Sequence, residues 1–216
     1  VDLDNRPYIN ENLRKIWTLS SRVTFNKEGN MLETETVREE RRPQTAASGQ
    51  ETTPIRIRKI GHVVLSVSDI ERSSKFWSEI MGFKFSDRNE NGMVFYRNAT
   101  DHHTVALIQA KEKNELPKRG QVGFDHMALE VGSVSELFKI RDFLRSKGVE
   151  IFYEGRRGPG GNPGVEFYDP DGYKIEIYAA MDQIGPDGKS RPANEWKRAT
   201  TLEEAVANPL PGAKYT

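Results

Sequence analysis

The chain repeats itself, and a repeat restricts the fold more than any composition figure does. The segment opening at His62 realigns with the segment opening at His126, 64 residues on. Each copy begins with a strand-like apolar run carrying a histidine: Gly61-His62-Val63-Val64-Leu65-Ser66-Val67 and Asp125-His126-Met127-Ala128-Leu129-Glu130-Val131. A short turn follows in each, Ser68-Asp69 or Gly132-Ser133, and then a stretch with helical periodicity. Ile70, Phe76, Trp77, Ile80 and Met81 make the apolar stripe of the first helix; Leu137, Ile140, Phe143 and Leu144 make that of the second. Ser68 or Asp69 and Ser133 have the side chains an N-cap needs. Gly82 and Gly148 stand where a helix ends in left-handed backbone. Each glycine is followed by three strand-like runs, and Asp169-Pro170-Asp171-Gly172 supplies the last hairpin turn. The pattern predicts an α+β domain over residues 58–180. It consists of two tandem βαβββ modules, residues 58–110 and 122–180.

The flanks read differently. Residues 1–57 form a charged N-terminal arm, either a solvated linker or an arm anchored by Tyr8, Ile9, Leu13, Ile16 and Trp17. Residues 181–216 form a tail with one short helix expected over 201–207, ended by Asn208-Pro209, and packed down by Trp196 and Leu210. Lysine and arginine balance aspartate and glutamate, so bulk attraction to nucleic acid or to a membrane surface is not expected. No apolar run reaches membrane-spanning length. Cysteine is absent, which removes disulfide and thiolate chemistry and is compatible with a cytoplasmic setting.

The chemistry lies on the repeated strands. His62 and His126 open two of them, and Glu176 sits inside a third, Tyr173-Lys174-Ile175-Glu176-Ile177-Tyr178. A carboxylate between two isoleucines is costly to bury without a partner. Two imidazoles and one carboxylate make a facial triad, the set that leaves open positions on non-heme Fe(II). The remaining histidines, His102 and His103, precede the fourth strand of the first module.

In these residues the chain resembles the vicinal-oxygen-chelate superfamily and, within it, the type I extradiol ring-cleaving dioxygenases. The resemblance covers residues 58–180 and none of the arm. It implies His62, His126 and Glu176 as ligands of Fe(II), with Mn(II) as the alternative. It implies His103, within Asp101-His102-His103-Thr104, as the acid–base residue, although simple strand alternation puts His102 on the face of Ala106. Tyr168 is implied as the hydrogen-bonding partner of a substrate oxygen. Val64, Phe95 and Ala106 are implied as the pocket that receives O₂. The implied substrates are a catechol-type aromatic diol and O₂, and a homo-oligomer is expected.

One departure stands out. The family pattern Gly-Arg-His-Gly reads Gly155-Arg156-Arg157-Gly158 here. Arg157 stays charged and cannot relay a proton. It either stabilises an anionic substrate or points to solvent. Lactoylglutathione lyases of the same superfamily use four protein ligands, and the slot matching Glu176 in the first module is Ala106, which binds no metal. Fosfomycin-resistance thiol transferases share the two-histidine, one-glutamate set. Metal-free binding members, such as those that sequester bleomycin, have no need of it.

Overall fold

The computed structural model describes residues 20–25, 31–37, 54–112, 121–213 and 215. The chain divides into two compact units, Val1–Arg58 and Lys59–Thr216. In the first unit, strands β1 (Ser20–Phe25) and β2 (Met31–Val37) pair antiparallel. The sequence reading has no strands here. Their signal is the β-branched Thr and Val content of both runs, weakened by interleaved charges. The anchor residues Tyr8, Ile9, Leu13, Ile16 and Trp17 lie outside the described residues.

The second unit holds the repeat. Strand β3 (Val63–Val67) leads into helix α1 (Ile70–Lys75), which continues as a π-helical turn, Phe76–Ile80. Strands β4 (Lys84–Arg88), β5 (Val94–Arg97) and β6 (Val105–Gln109) complete the first module. The second runs β7 (His126–Glu130), α2 (Val134–Ser146), β8 (Ile151–Arg156), β9 (Pro163–Tyr168) and β10 (Lys174–Tyr178). The sheet orders are β3-β6-β5-β4 and β7-β10-β9-β8, the same topology twice. In each sheet the first and last strands pair parallel and the others antiparallel. These are two tandem βαβββ modules in an α+β fold.

Local chemistry explains the boundaries. The Asp69 carboxylate accepts from the backbone N–H groups of Glu71 and Arg72, and the Ser133 hydroxyl accepts from that of Glu136. Of the two caps open in the first module, Asp69 is the one used. Gly82 (φ 71°) and Gly148 (φ 74°) take the left-handed backbone that stops each helix.

Among the described residues the core forms one contiguous cluster. It joins Leu65, Val67, Val105 and Leu107 of the first sheet, Val165, Phe167, Ile175 and Ile177 of the second, and Phe76, Trp77, Leu137 and Leu144 from the helices. Phe143, expected in the second stripe, is 39% exposed, with the Lys147 ammonium over its ring. Asp171 ties the modules together. Its carboxylate accepts from the Ser68 N–H and hydroxyl, from Arg72 and from the Ser73 hydroxyl. Among the described residues no helix is long and apolar enough to cross a membrane.

The C-terminal segment docks on β8. Helix α3 (Leu202–Ala207) is capped by the Thr201 hydroxyl, and Leu202, Ala205 and Leu210 are buried. Arg156, 1% exposed, donates to the carbonyls of Lys197, Ala205 and Asn208 and to the Tyr215 hydroxyl. Its backbone bridges Ala199. Gly155 beside it has φ 120°, and a Cβ there would run into the Ala199 carbonyl. Backbone strain of this kind costs ~1–3 kcal/mol before any clash. Gly155→Ala should therefore lower the urea midpoint by at least ~2 kcal/mol equivalent and free the C-terminal segment to limited proteolysis. An unchanged midpoint would mean the strap contributes nothing to the fold.

Asp169 gives a pH signature. Burial raises its carboxyl from 3.8 to about 6, against backbone hydrogen bonds from Tyr173 and Asp171. The folded state thus holds this proton more tightly than the unfolded chain. Its contribution is complete below about 3.8 and is lost as pH rises through about 6. Relative to Asp169→Asn, the wild type should gain up to ~3 kcal/mol of unfolding free energy between pH 7 and pH 4. Denaturant titrations of both proteins at the two pH values measure this difference. A pH-independent difference would exclude the buried carboxyl as its source.

Candidate functional site

Strand alternation sorts the second sheet into two faces. Met127, Leu129, Ile175 and Ile177 point into the core. His126, Ala128, Lys174, Glu176 and Tyr178 therefore share the opposite face. His126 and Glu176 meet there, with Nε2 at 3.5 Å from the Glu176 carboxylate. The Asp125 carboxylate lies 2.7 Å from His126 Nδ1, and it can only accept, so Nδ1 carries the proton and Nε2 presents its lone pair. A carboxylate behind a metal-binding imidazole commonly fixes the ligating nitrogen in this way. Lys174, at 2.8 Å, and then His126 hold the Asp125 carboxyl down at about 2.

Glu176 accepts from the Asn162 amide at 3.0 Å. Its other oxygen faces His126. Burial, and then the cross-strand neighbour Glu166, push the Glu176 carboxyl above its usual range. A half-buried carboxylate opposed by a second carboxylate and faced by an imidazole lone pair is a donor set suited to a divalent cation. Glu166 itself is buried and held by Arg157, whose Nη2 donates at 2.9 Å and whose Nε also donates to it.

The first sheet carries the other histidines. The rings of His62 and His103 lie 4.5 Å apart, and Phe95 packs 5.0 Å from His103. His102 sits one place outward: its Nδ1 is 3.0 Å from Nδ1 of His103, and its Nε2 is 3.9 Å from Asp87. Both histidines precede β6, so strand alternation does not govern them, and it is His103 that stands against His62. Burial first, then His62 and His102, lower the His103 pKa. Ala106 pairs with Val64 on one side and Phe95 on the other, which makes the three expected pocket residues consecutive cross-strand neighbours.

Register also identifies the counterpart of Glu176. Glu176 pairs with Ala128, two residues after His126; Ala106 pairs with Val64, two residues after His62. Ala106 thus occupies in the first module the place of the carboxylate in the second.

The structure therefore brings the expected residues together in two groups. His62, His103, His102, Phe95, Val64 and Ala106 are on the first sheet; His126 and Glu176 are on the second. Among the described residues no three His, Asp or Glu side chains are gathered in one place that could hold a metal ion. Tyr168 is on the second sheet, 51% exposed and stacked on Phe152 at 4.6 Å. Arg157 is paired with Glu166 and lies 3.8 Å over the Tyr153 ring. Sequence reasoning missed Asp125, Asn162, Glu166 and Lys174. Asp125 was legible as the carboxylate adjoining His126, and Glu166 as the residue two before Tyr168 on the same face.

The comparisons with known proteins bear on the family and the fold. Metapyrocatechase 2 of Cupriavidus necator is 26% identical over 67% of this chain and 43% of its own length, so the chain spans under half of that relative. Lactoylglutathione lyase of Escherichia coli O157:H7 is 29% identical over 56% of this chain and 92% of its own. The crystal structure of a glyoxalase/dioxygenase from Nostoc punctiforme has the same fold, with 20% identity, a TM-score of 0.50, and coverage of 63% of this chain and all of that one. The sequence profile of the Glyoxalase/Bleomycin resistance protein/Dioxygenase superfamily matches residues 59–177, over half of the chain, and the chain belongs to that superfamily.

Proposed function

We propose that this chain is a metal-dependent extradiol dioxygenase that opens the ring of a catechol-type aromatic with O₂. The observation that carries the reading is the register of Ala106. A fourth protein ligand would stand there, and alanine leaves that position open for exogenous oxygen donors. His103 beside His62 is the second support, since it puts a neutral imidazole next to the ligand face.

His126 and Glu176 would hold Fe(II), or Mn(II), with His62, which lies on the other sheet, as the third ligand of the proposed set. When bound, such an ion acidifies a chelated hydroxyl and provides the meeting point for diol and O₂. The Asp125 carboxylate holds His126 with Nε2 forward. With Nδ1 of His103 donating to Nδ1 of His102, Nε2 of His103 is the free lone pair. It takes the proton of the second substrate hydroxyl and later returns it. The Tyr168 hydroxyl orients the ionised substrate oxygen. Val64, Phe95 and Ala106 wall an apolar space for O₂. Arg157, with its charge answered by Glu166, closes one side of the face without selecting an acidic ring substituent. The proposal places the enzyme in a reducing cytoplasm, in keeping with the cysteine-free sequence.

The test is a panel of catechols offered to anaerobically purified, Fe(II)- or Mn(II)-loaded protein in an oxygen-electrode cell. The proposal expects metal-dependent O₂ uptake with a coloured ring-opened product. Isomerisation of the glutathione–methylglyoxal hemithioacetal without O₂ uptake would replace it with a lyase.

A further inference from the structure

The C-terminal segment reaches Glu176 through one loop. Gly158-Pro159-Gly160-Gly161-Asn162 leads from β8 into β9, and within it the Gly161 N–H donates to the Gly158 carbonyl. Gly160 (φ 74°) and Gly161 (φ 66°) both take left-handed backbone. Glycine gives up more conformational freedom on ordering than any other residue, so this intraloop bond does not hold the run in one shape. The C-terminal segment supplies further contacts. The Asp182 N–H donates to the Gly160 carbonyl at 2.8 Å. A Cβ on Gly161 would stand 2.5 Å from Leu210 Cδ1 and 3.1 Å from Asp182 Oδ2, and one on Gly158 would stand 3.5 Å from the Trp196 ring. These contacts share an anchor. Arg191 donates to both Asp182 oxygens, at 2.6 and 2.9 Å, and to the Pro211 carbonyl at 3.0 Å. The Arg191 carbonyl accepts from the Trp196 indole N–H.

At its other end the loop meets the second sheet's histidine and glutamate. The Asn162 amide donates to Oε1 of Glu176 at 3.0 Å. Gly164 on β9 leaves the space for that oxygen, since a Cβ there would lie 3.1 Å from Oε1. Oε1 is therefore occupied, and Oε2 is the oxygen turned to His126 Nε2, at 3.5 Å. A glutamate has three side-chain torsions, and an outer hydrogen bond is what selects one orientation among them.

We infer that Asn162 is a positioning residue for Glu176, and that the C-terminal segment, anchored by Arg191, sets Asn162 through the glycine loop. Residues 182–211 thus tune the carboxylate without touching it. The inference rests on Glu176 as a ligand, as in the proposed function, and is independent of the reaction.

A double-mutant cycle on the full-length, metal-free protein tests it, with Mn(II) affinity read by equilibrium dialysis. Losing an outer partner of a ligand typically costs ~10–100-fold in metal affinity, and Asn162→Ala should fall in that range. Arg191→Ala should weaken binding by a smaller factor on its own, and by nothing further in the Asn162→Ala background, because both act through one contact. Leu210→Val, a milder change in the same seat, should repeat this pattern and serves if Arg191→Ala does not fold. At saturating Mn(II) the EPR spectrum of the bound ion should change in Asn162→Ala, and in the same sense in the C-terminal variants. A residue that only supports the fold lowers the bound fraction and leaves that spectrum alone. Three outcomes would overturn the inference: wild-type affinity or a wild-type spectrum in Asn162→Ala while Glu176→Ala binds no metal, no effect of either C-terminal variant, or the same factor for those variants with and without Asn162. Metal retained by Glu176→Ala would instead remove the ligand assignment, and the inference with it, so the two failures are told apart.

Discussion

Glu176→Ala should empty the metal site while leaving the fold intact. The carboxylate is held above its normal range by burial and by Glu166, so without a cation its ionised form works against folding at neutral pH. Removing it should leave the thermal midpoint of the metal-free protein unchanged or slightly raised. Metal affinity should fall much further than the ~10–100-fold typical of losing an outer partner, because a direct ligand is lost. Equilibrium dialysis with Mn(II), alongside melting of the apoprotein, measures both quantities. Retained metal would remove Glu176 from the ligand set. A collapsed fold would make it structural.

His103→Ala should act in the opposite sense, keeping metal and catechol but losing turnover by ~10²–10⁴-fold, the usual worth of a positioned acid–base group. The substitution removes the ring that stands against His62 and Phe95, so binding of the diol changes little while proton transfer is lost. His102→Ala should cost less. Its ring is one place farther out, with its Nδ1 3.0 Å from Nδ1 of His103. Single-turnover rates with a saturating catechol separate the two variants. Equal losses would make the pair a single relay. Loss only in His102→Ala would show that strand alternation, not the motif, places the acid–base residue.

What the sequence made legible follows from repetition. The offset between His62 and His126 fixed both modules, their helices and their glycine stops, because the same local physics is written twice. Ala106 could be set against Glu176 from the alignment alone, and the register confirms it. Contacts across modules were not legible. Nothing local in Asp169-Pro170-Asp171-Gly172 shows that Asp171 reaches Ser68, Arg72 and Ser73, about a hundred residues earlier. The same holds for Arg156, which alternation within a strand cannot connect to Lys197, Ala205 and Asn208. The pairing of Arg157 with Glu166 was not legible either, because that partner comes from the neighbouring strand. The separation of the ligands into two faces depends on which sides of the sheets the shared core covers. Strand periodicity gives each sheet two faces but does not say which faces of different sheets meet.

The most direct measurement of the central claim is the fate of isotopically labelled oxygen. The metal-loaded protein is supplied with ¹⁸O₂ and the catechol that it consumes fastest, and the ring-opened product is weighed by mass spectrometry. The account predicts two labelled oxygen atoms in each product molecule and one O₂ consumed per catechol. A product without label, or a catechol recovered intact while O₂ is reduced, would contradict it.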